Sequence, residues 1–165
     1  MASASTVADR LAAAGIALPA AMPAVASYVP FTILRQDKTW LVHVAGQGPF
    51  RDGRLLHIGR VGDGIDLSGA QDCARLVALN VLAQADAASR QVEGAPGLNR
   101  GRCLRLGVFV HCVDGFAAID TVADAASSLI ELALGAAGRH ARTTVGMPVL
   151  PMRTAVEIDA VFEFG

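Results

Sequence analysis

The chain has little charge of either sign and few aromatic side chains. Charged residues make up 18% of its 165 positions, aromatic residues 5%, and the formal net charge is -1. No run of basic residues occurs, and no basic strand is interleaved with aromatics. Phosphate neutralisation and base stacking therefore have no visible basis, which argues against nucleic-acid binding and RNA cleavage. Nowhere do 18 apolar residues follow one another, so no membrane span is expected. The three cysteines, Cys73, Cys103 and Cys112, are odd in number and form no CxxC pair. They read as buried free thiols in a reducing, cytoplasmic compartment. The Ala-rich opening lacks the positive start of a secretion signal and is interrupted by Asp9, Arg10 and Pro19, so it is not expected to be one. His43, His57, His111 and His140 show no ligand spacing on a shared face, which leaves no metal site. The Gly-rich stretch GRVGDGIDLSG lacks the Walker lysine and does not fit G-x-G-x-x-G. No G-x-S-x-G elbow is present for a serine hydrolase.

What is abundant is small apolar residues: 53% of the chain is hydrophobic, mostly Ala, Val and Leu. This length fits one domain. Thr6 to Ala14 carries a helical stripe of Val7, Leu11 and Ala14, capped by Thr6 and ended by Pro19 and Pro23. FTILR and TWLVHVAGQ, separated by Gln36-Asp37-Lys38, suggest a hairpin. A Gly- and Asp-rich stretch follows, with a short strand possible over Leu55 to Ile58. Ser68 and Gln71 read as a capping box that starts the clearest helix. Its apolar face is Cys73, Ala74, Val77, Val81, Ala85 and Ala88, widened by Leu76, Leu79 and Leu82. In CLRLGVFVHCV, alternation puts Leu104, Leu106, Val108, Val110 and Cys112 on one face and Phe109 and Val113 on the other. A second helix over Asp120 to Gly135 points Val122, Ala126, Leu129, Ile130 and Ala133 inward. Two closing strands, joined by a Pro-containing turn, complete a β-β-α-β-α-β-β order. One mixed sheet with two helices on one face satisfies that order. The other face needs a cover, and self-association would supply it.

The closing strands contain the one puzzle. Arg142, Thr144 and Gly146 share a face of the first. In the second, Val156, Ile158, Ala160, Phe162 and Phe164 face one way, and Glu157, Asp159 and Glu163 the other, with Val161 among them. A guanidinium flanked by small residues suits bidentate pairing with a planar carboxylate. On spacing alone, Arg142 equally well bridges one of these acids, or both sit at a solvated edge.

The stretch HARTTVGMPVLPMRTAVEIDAVFEF resembles the C-terminal signature of the Rid family, the reactive-intermediate (enamine/imine) deaminases. These are also called YjgF-like or endoribonuclease L-PSP proteins. SYVP at Ser27 to Pro30, AGQGP at Ala45 to Pro49, CARLVALNVLAQ and FVHCVDGF match as well, so the likeness spans roughly Val25 to Phe164. It implies an α+β, chorismate-mutase-like fold assembling as a homotrimer. Residues 1–165 would form a single Rid-like domain in which 1–24 are an N-terminal helical extension. Ligand pockets would lie in clefts between subunits. Arg142 would hold a substrate carboxylate, Glu157 would position water, and the Thr144 carbonyl would be a water or imine contact. Tyr28 would line the pocket, and Gly46, following the second strand, would offer backbone contact. Ala45 stands where better-studied members have Ser. Asp124 stands where they often have Asn, and pointing inward it would oppose an anion. The N-terminal extension and the long Arg51 to Asp66 loop resemble a longer branch of the family. The implied activity is hydrolysis of small 2-imino or 2-enamino acids to 2-keto acids and ammonia, without metal or organic cofactor. The alternative is a non-catalytic trimer that binds small carboxylates. Phe50, Phe109 and Phe116 are candidate pocket-lining residues.

Overall fold

The computed structural model describes residues 5–94 and 97–165. Helix α1 (Val7–Ala13) begins at a reciprocal cap in which Thr6 accepts from the Asp9 amide and the Asp9 carboxylate accepts from that of Thr6. Val7 and Leu11 are buried. The helix ends at Gly15, whose φ of 71° suits an achiral residue, so it stops before either proline is reached. The expected hairpin is strands β1 (Phe31–Gln36) and β2 (Thr39–Gln47), antiparallel with Phe31 opposite Val44. Two small ribbons follow: β3 (Phe50–Arg51) with β4 (Arg54–Leu55), and β5 (Arg60–Val61) with β6 (Gly64–Ile65). The strand expected over Leu55 to Ile58 is thus divided. Leu55 belongs to β4, while Ile58 makes an isolated bridge to Thr154.

Helix α2 (Leu67–Ser89) carries the apolar face read from its spacing, and its Cys73, Ala74, Val77, Val81, Ala85 and Ala88 are all fully buried. Its start differs from the expectation. Asp66, not Ser68, is the cap, accepting from the Gly69 amide at 2.7 Å. A carboxylate there also meets the positive end of the helix dipole, and Ser68 falls inside the first turn. Strand β7 (Gly101–His111), helix α3 (Ile119–Leu134), strand β8 (Ala141–Met147) and strand β9 (Val156–Phe164) complete the chain.

The five long strands form one mixed sheet in the order β1-β2-β9-β7-β8. All neighbours are antiparallel except β7 and β8, which are parallel. The two closing strands are therefore not partners across their turn. The chain leaves the edge strand β8, passes β7 and inserts β9 at the centre. A register shift between Cys103 and Arg105 puts Cys103, rather than Leu104, on the core face with Leu106, Val108 and Val110. A bulge changes the parity of every side chain before it.

Helices α2 and α3 cover that face, against Val156, Ile158, Ala160, Phe162 and Phe164 of β9. Alanines along both helices let them approach each other and the sheet closely. The three cysteines are free and buried, and burial pushes the Cys73 and Cys103 thiols up to about 12, so both stay neutral. Phe162, fully buried at the centre of this core, is expected to cost about 3–5 kcal/mol on replacement by alanine, measured as a drop in urea midpoint. Among the described residues, no helix lies on the opposite face of the sheet. It presents Leu34, Phe109, Val145 and Val161 around an Arg105–Asp159 ion pair of 3.1 Å.

Candidate functional site

The residues singled out from the sequence gather into two clusters. The first is built on β8. Arg142 lies opposite Leu106 in the register, so its side chain rises from the helix-covered face at the sheet edge, beneath α3. Its Nη1 donates to Asp124 Oδ1 at 2.8 Å and to Ser127 Oγ at 3.0 Å. Asp120 Oδ1 stands 3.8 Å from Nη2. Asp120, Asp124 and Ser127 follow the four-and-three spacing that stacks side chains along one helical face. Behind Ser127 stands His140. Its Nδ1 is 2.6 Å from the Gly138 carbonyl, and its Nε2 is 3.0 Å from Ser127 Oγ. A carbonyl only accepts, so Nδ1 carries the hydrogen. In the neutral ring, Nε2 then accepts from the Ser127 hydroxyl, whose oxygen is free to accept from Arg142. The chain Arg142–Ser127–His140–Gly138 thus has one donor direction throughout.

This arrangement spends both hydrogens of Nη1. Among the described residues, Nε and Nη2 make no hydrogen bond, and these two form the parallel fork that grips a carboxylate. Arg142 therefore pairs with none of the three acids of β9: Asp159 is taken by Arg105, and Arg142 by α3. Asp124 is largely exposed but reaches the guanidinium, and its charge with that of Asp120 outweighs the single cation. Thr144, two residues along β8, shares this face, and its Oγ1 is buried without a hydrogen-bond partner among the described residues. As β8 is an edge strand, part of its backbone has no sheet partner among the described residues.

The second cluster surrounds a cavity of about 710 Å³ at the end of β2. Tyr28, Ala45, Gly46 and Glu157 all line it, with Phe50 among the apolar walls. Phe109 and Phe116 are not part of its lining. Phe109 stands on the uncovered sheet face, and Phe116 packs on the core. Gly46 lies inside β2 rather than after it, where the register with β9 slips between Val44 and Gln47. Glu157 is opposite Phe109, on the uncovered face. Burial, and secondarily the charge of Asp159, raise its carboxyl above the usual 4.5. A methyl group on Gly46 would collide with Glu157 Oε1. Gly46→Ala is expected to push this carboxylate aside while leaving the fold intact, because the struck atom ends a flexible side chain. A thermal midpoint within a few degrees of wild type, with a displaced Glu157 in a crystal structure, is the expected result.

Two clusters on opposite faces, with β7 between their strands, are what the chain provides. No group of three or more His, Cys, Asp or Glu suited to a metal is found among the described residues. Sequence reasoning missed Ser127 and Asp120 as partners of Arg142, and His140 as the partner of Ser127. The polar stripe on α3 was the available signal. It also missed Asn80 and Gln84, the buried amides of α2 that shape the cavity. Their signal is a polar pair, one turn apart, interrupting an apolar helix.

Comparison with known proteins bears on this geometry. Residues 8–163 match the profile of the family described as "YjgF/chorismate mutase-like, putative endoribonuclease". Protein TCP17 of Trypanosoma cruzi is 35% identical over 158 residues, covering 95% of this chain and 93% of the relative. A crystal structure of Atu1372 from Agrobacterium tumefaciens, a protein of unknown function, superposes with a TM-score of 0.83 at 40% identity, covering 96% of this chain and 92% of the other. A "putative endoribonuclease" from Shewanella oneidensis MR-1 superposes with a TM-score of 0.85 at 28% identity, covering 97% and 99%.

Proposed function

Since the chain belongs to the YjgF/chorismate mutase-like family, we propose that it hydrolyses reactive 2-imino or 2-enamino acids to 2-keto acids and ammonia, in clefts formed between copies of the chain. The observation that carries this reading is the Nε–Nη2 fork, which makes no hydrogen bond among the described residues and has only the exposed Asp120 carboxylate 3.8 Å from Nη2, on an arginine whose Nη1 is held at 2.8 and 3.0 Å by α3. A fork fixed from behind loses little freedom when it grips a carboxylate.

One small ligand cannot touch Arg142 and Glu157 of the same chain, because they face opposite sides of the sheet. A second copy, meeting the β8 edge, would bring its own Glu157 to the guanidinium. This favours a closed ring of copies, three in the family reading, that also covers the open sheet face. Light scattering on the eluting protein tests it, with a mass near three times 17.0 kDa expected.

In the assembled cleft, Arg142 anchors the carboxylate and so fixes the C=N carbon, converting an encounter into a positioned reaction. Glu157, with its raised carboxyl, accepts a proton from the attacking water near neutral pH, where a general base works best. The Thr144 carbonyl is the proposed second contact of that water. Glu157 returns that proton to the amine of the carbinolamine and takes up the hydroxyl proton as the C–N bond breaks, so that the keto group forms and ammonia leaves. The iminium is already electrophilic, so the steps above require nothing beyond water and these side chains.

A second reading is binding of small carboxylates without turnover. It is favoured by the two acids on Arg142 and by Ala45, which offers no hydroxyl beside Gly46. Both are separated by one experiment. The purified chain is mixed with 2-iminobutyrate as an amino-acid oxidase releases it, and the imine that remains is trapped by a competing nucleophile. Faster imine loss that disappears with Arg142→Ala supports hydrolysis. Unchanged imine loss rejects it.

A further inference from the structure

The cavity beside Glu157 is larger than a four-carbon acid requires. At about 710 Å³ it falls in the range of roughly 300–1,000 Å³ that houses ligands of drug size. Its walls are Met22, Val25, Val29, Phe50 and Met152, with prolines and alanines between them, and Glu157 is the one charged residue lining it among the described residues.

The walls are held from within the core. Gln84 of α2, only 2% exposed, donates from its amide to the Met22 carbonyl at 2.6 Å and lies 3.4 Å from Gln47 Oε1. Asn80, one turn earlier, donates to the carbonyls of Gly48 and Phe50, each at 2.9 Å. Buried amides are costly in an apolar helix unless their hydrogen bonds are made. Here they are made to the two backbone segments that bound the cavity. The N-terminal arm is thereby pinned as a wall, and the space behind Glu157 is formed before any ligand arrives.

We infer that this space receives the ligand's side chain, and that the chain selects 2-imino and 2-keto acids with branched or aromatic side chains, of the leucine or phenylalanine type, over those of the alanine or serine type. The acid end of the ligand rests on the reading given under Proposed function. The apolar preference does not depend on turnover, since it comes from the area removed from water in a pre-formed apolar pocket. Each methylene so placed is worth about 10-fold or more in discrimination.

The test is calorimetric titration of the purified full chain with pyruvate, 2-oxobutyrate, 4-methyl-2-oxopentanoate and phenylpyruvate. Hydrolysis of the four corresponding imines is measured alongside. The two bulky acids are expected to bind at least ten times more tightly than pyruvate. Ala24→Trp, which adds bulk at the cavity wall, is expected to narrow that ratio to less than threefold. Gln84→Leu, which unpins Met22, is expected to reduce it as well, with circular dichroism confirming that both variants are folded. Equal affinities, a reversed order, or no binding of the bulky acids overturns the inference, as it would if a second copy filled the cavity. Absence of turnover on every imine, with the binding order intact, rejects hydrolysis and leaves the inference standing. Turnover confined to small imines, without a binding preference, does the reverse.

Discussion

Arg142→Ala is expected to lower kcat/KM for imine hydrolysis by about 30-fold to a few thousand-fold, the equivalent of about 2–5 kcal/mol for truncating one partner of a hydrogen-bonded charge pair. The loss has two parts. The carboxylate of the substrate loses its fork, and Asp120 and Asp124 are left without their cation in the same place, so the next anion meets net repulsion. Both acids are largely exposed in the chain, at 79% and 66% of their side chains. Water therefore solvates them in the variant, and the fold should keep its thermal midpoint. Arg142→Lys separates charge from shape: it restores a cation but not the planar fork, and an intermediate rate is expected. Steady-state kinetics on trapped imine, with melting curves of each variant, measures all of this. Wild-type kinetics in the alanine variant would exclude the guanidinium from the site.

Glu157→Gln is expected to reduce kcat by about 10²–10⁴-fold, the usual contribution of a general base, with a smaller effect on KM. Its pH signature is the sharper test. The carboxyl is raised above 4.5 by burial first and by Asp159 second. Because the base works ionised, wild-type activity should fall on the acid side through a pKa above the ordinary glutamate range, and the residual activity of the glutamine variant should show no such limb. Stability carries the same titration with a defined sign. A carboxyl whose folded pKa exceeds its unfolded one binds the proton more tightly when folded. The resulting stability is fully present below the ordinary value of 4.5 and is lost as pH rises through the folded value. Urea midpoints of wild type should therefore decline relative to Glu157→Gln as pH increases through that window. Parallel curves would show that the carboxyl is not perturbed.

Local pattern was enough for much of the architecture. Helix α2 was legible from Cys73 to Ala88 because a buried stripe leaves a 3.6-residue period whatever lies above it. The alternation of β9 was equally plain, since a strand with one covered face must alternate. The hairpin and the Gly135 end of α3 followed from turn and cap chemistry. Where reading failed, the deciding contact was non-local or a matter of one residue. A bulge exchanged Leu104 for Cys103 on the core face, and Asp66 displaced Ser68 as a cap because the helix begins at Leu67 and the Asp66 carboxylate accepts from the Gly69 amide. Which strands the two closing runs pair with was not legible, because a turn signal says that the chain bends, not which strand it then finds.

Composition, period and the closing motif determined by themselves that this chain makes one mixed sheet under two helices and carries an arginine and a glutamate in its last two strands. These properties depend on neighbours in the chain, or on residues a few positions apart. Only the tertiary structure decided that the two charges face opposite sides of the sheet. It also decided that α3 hydrogen-bonds one nitrogen of Arg142 and leaves the Nε–Nη2 edge without hydrogen bonds among the described residues, and that Gln84 lines, and Asn80 braces, a large apolar cavity beside Glu157. Those outcomes depend on strand order, on the register of β9 between β2 and β7, and on where two helices lie across them. They are set by the simultaneous burial of the whole apolar face, which no single segment specifies.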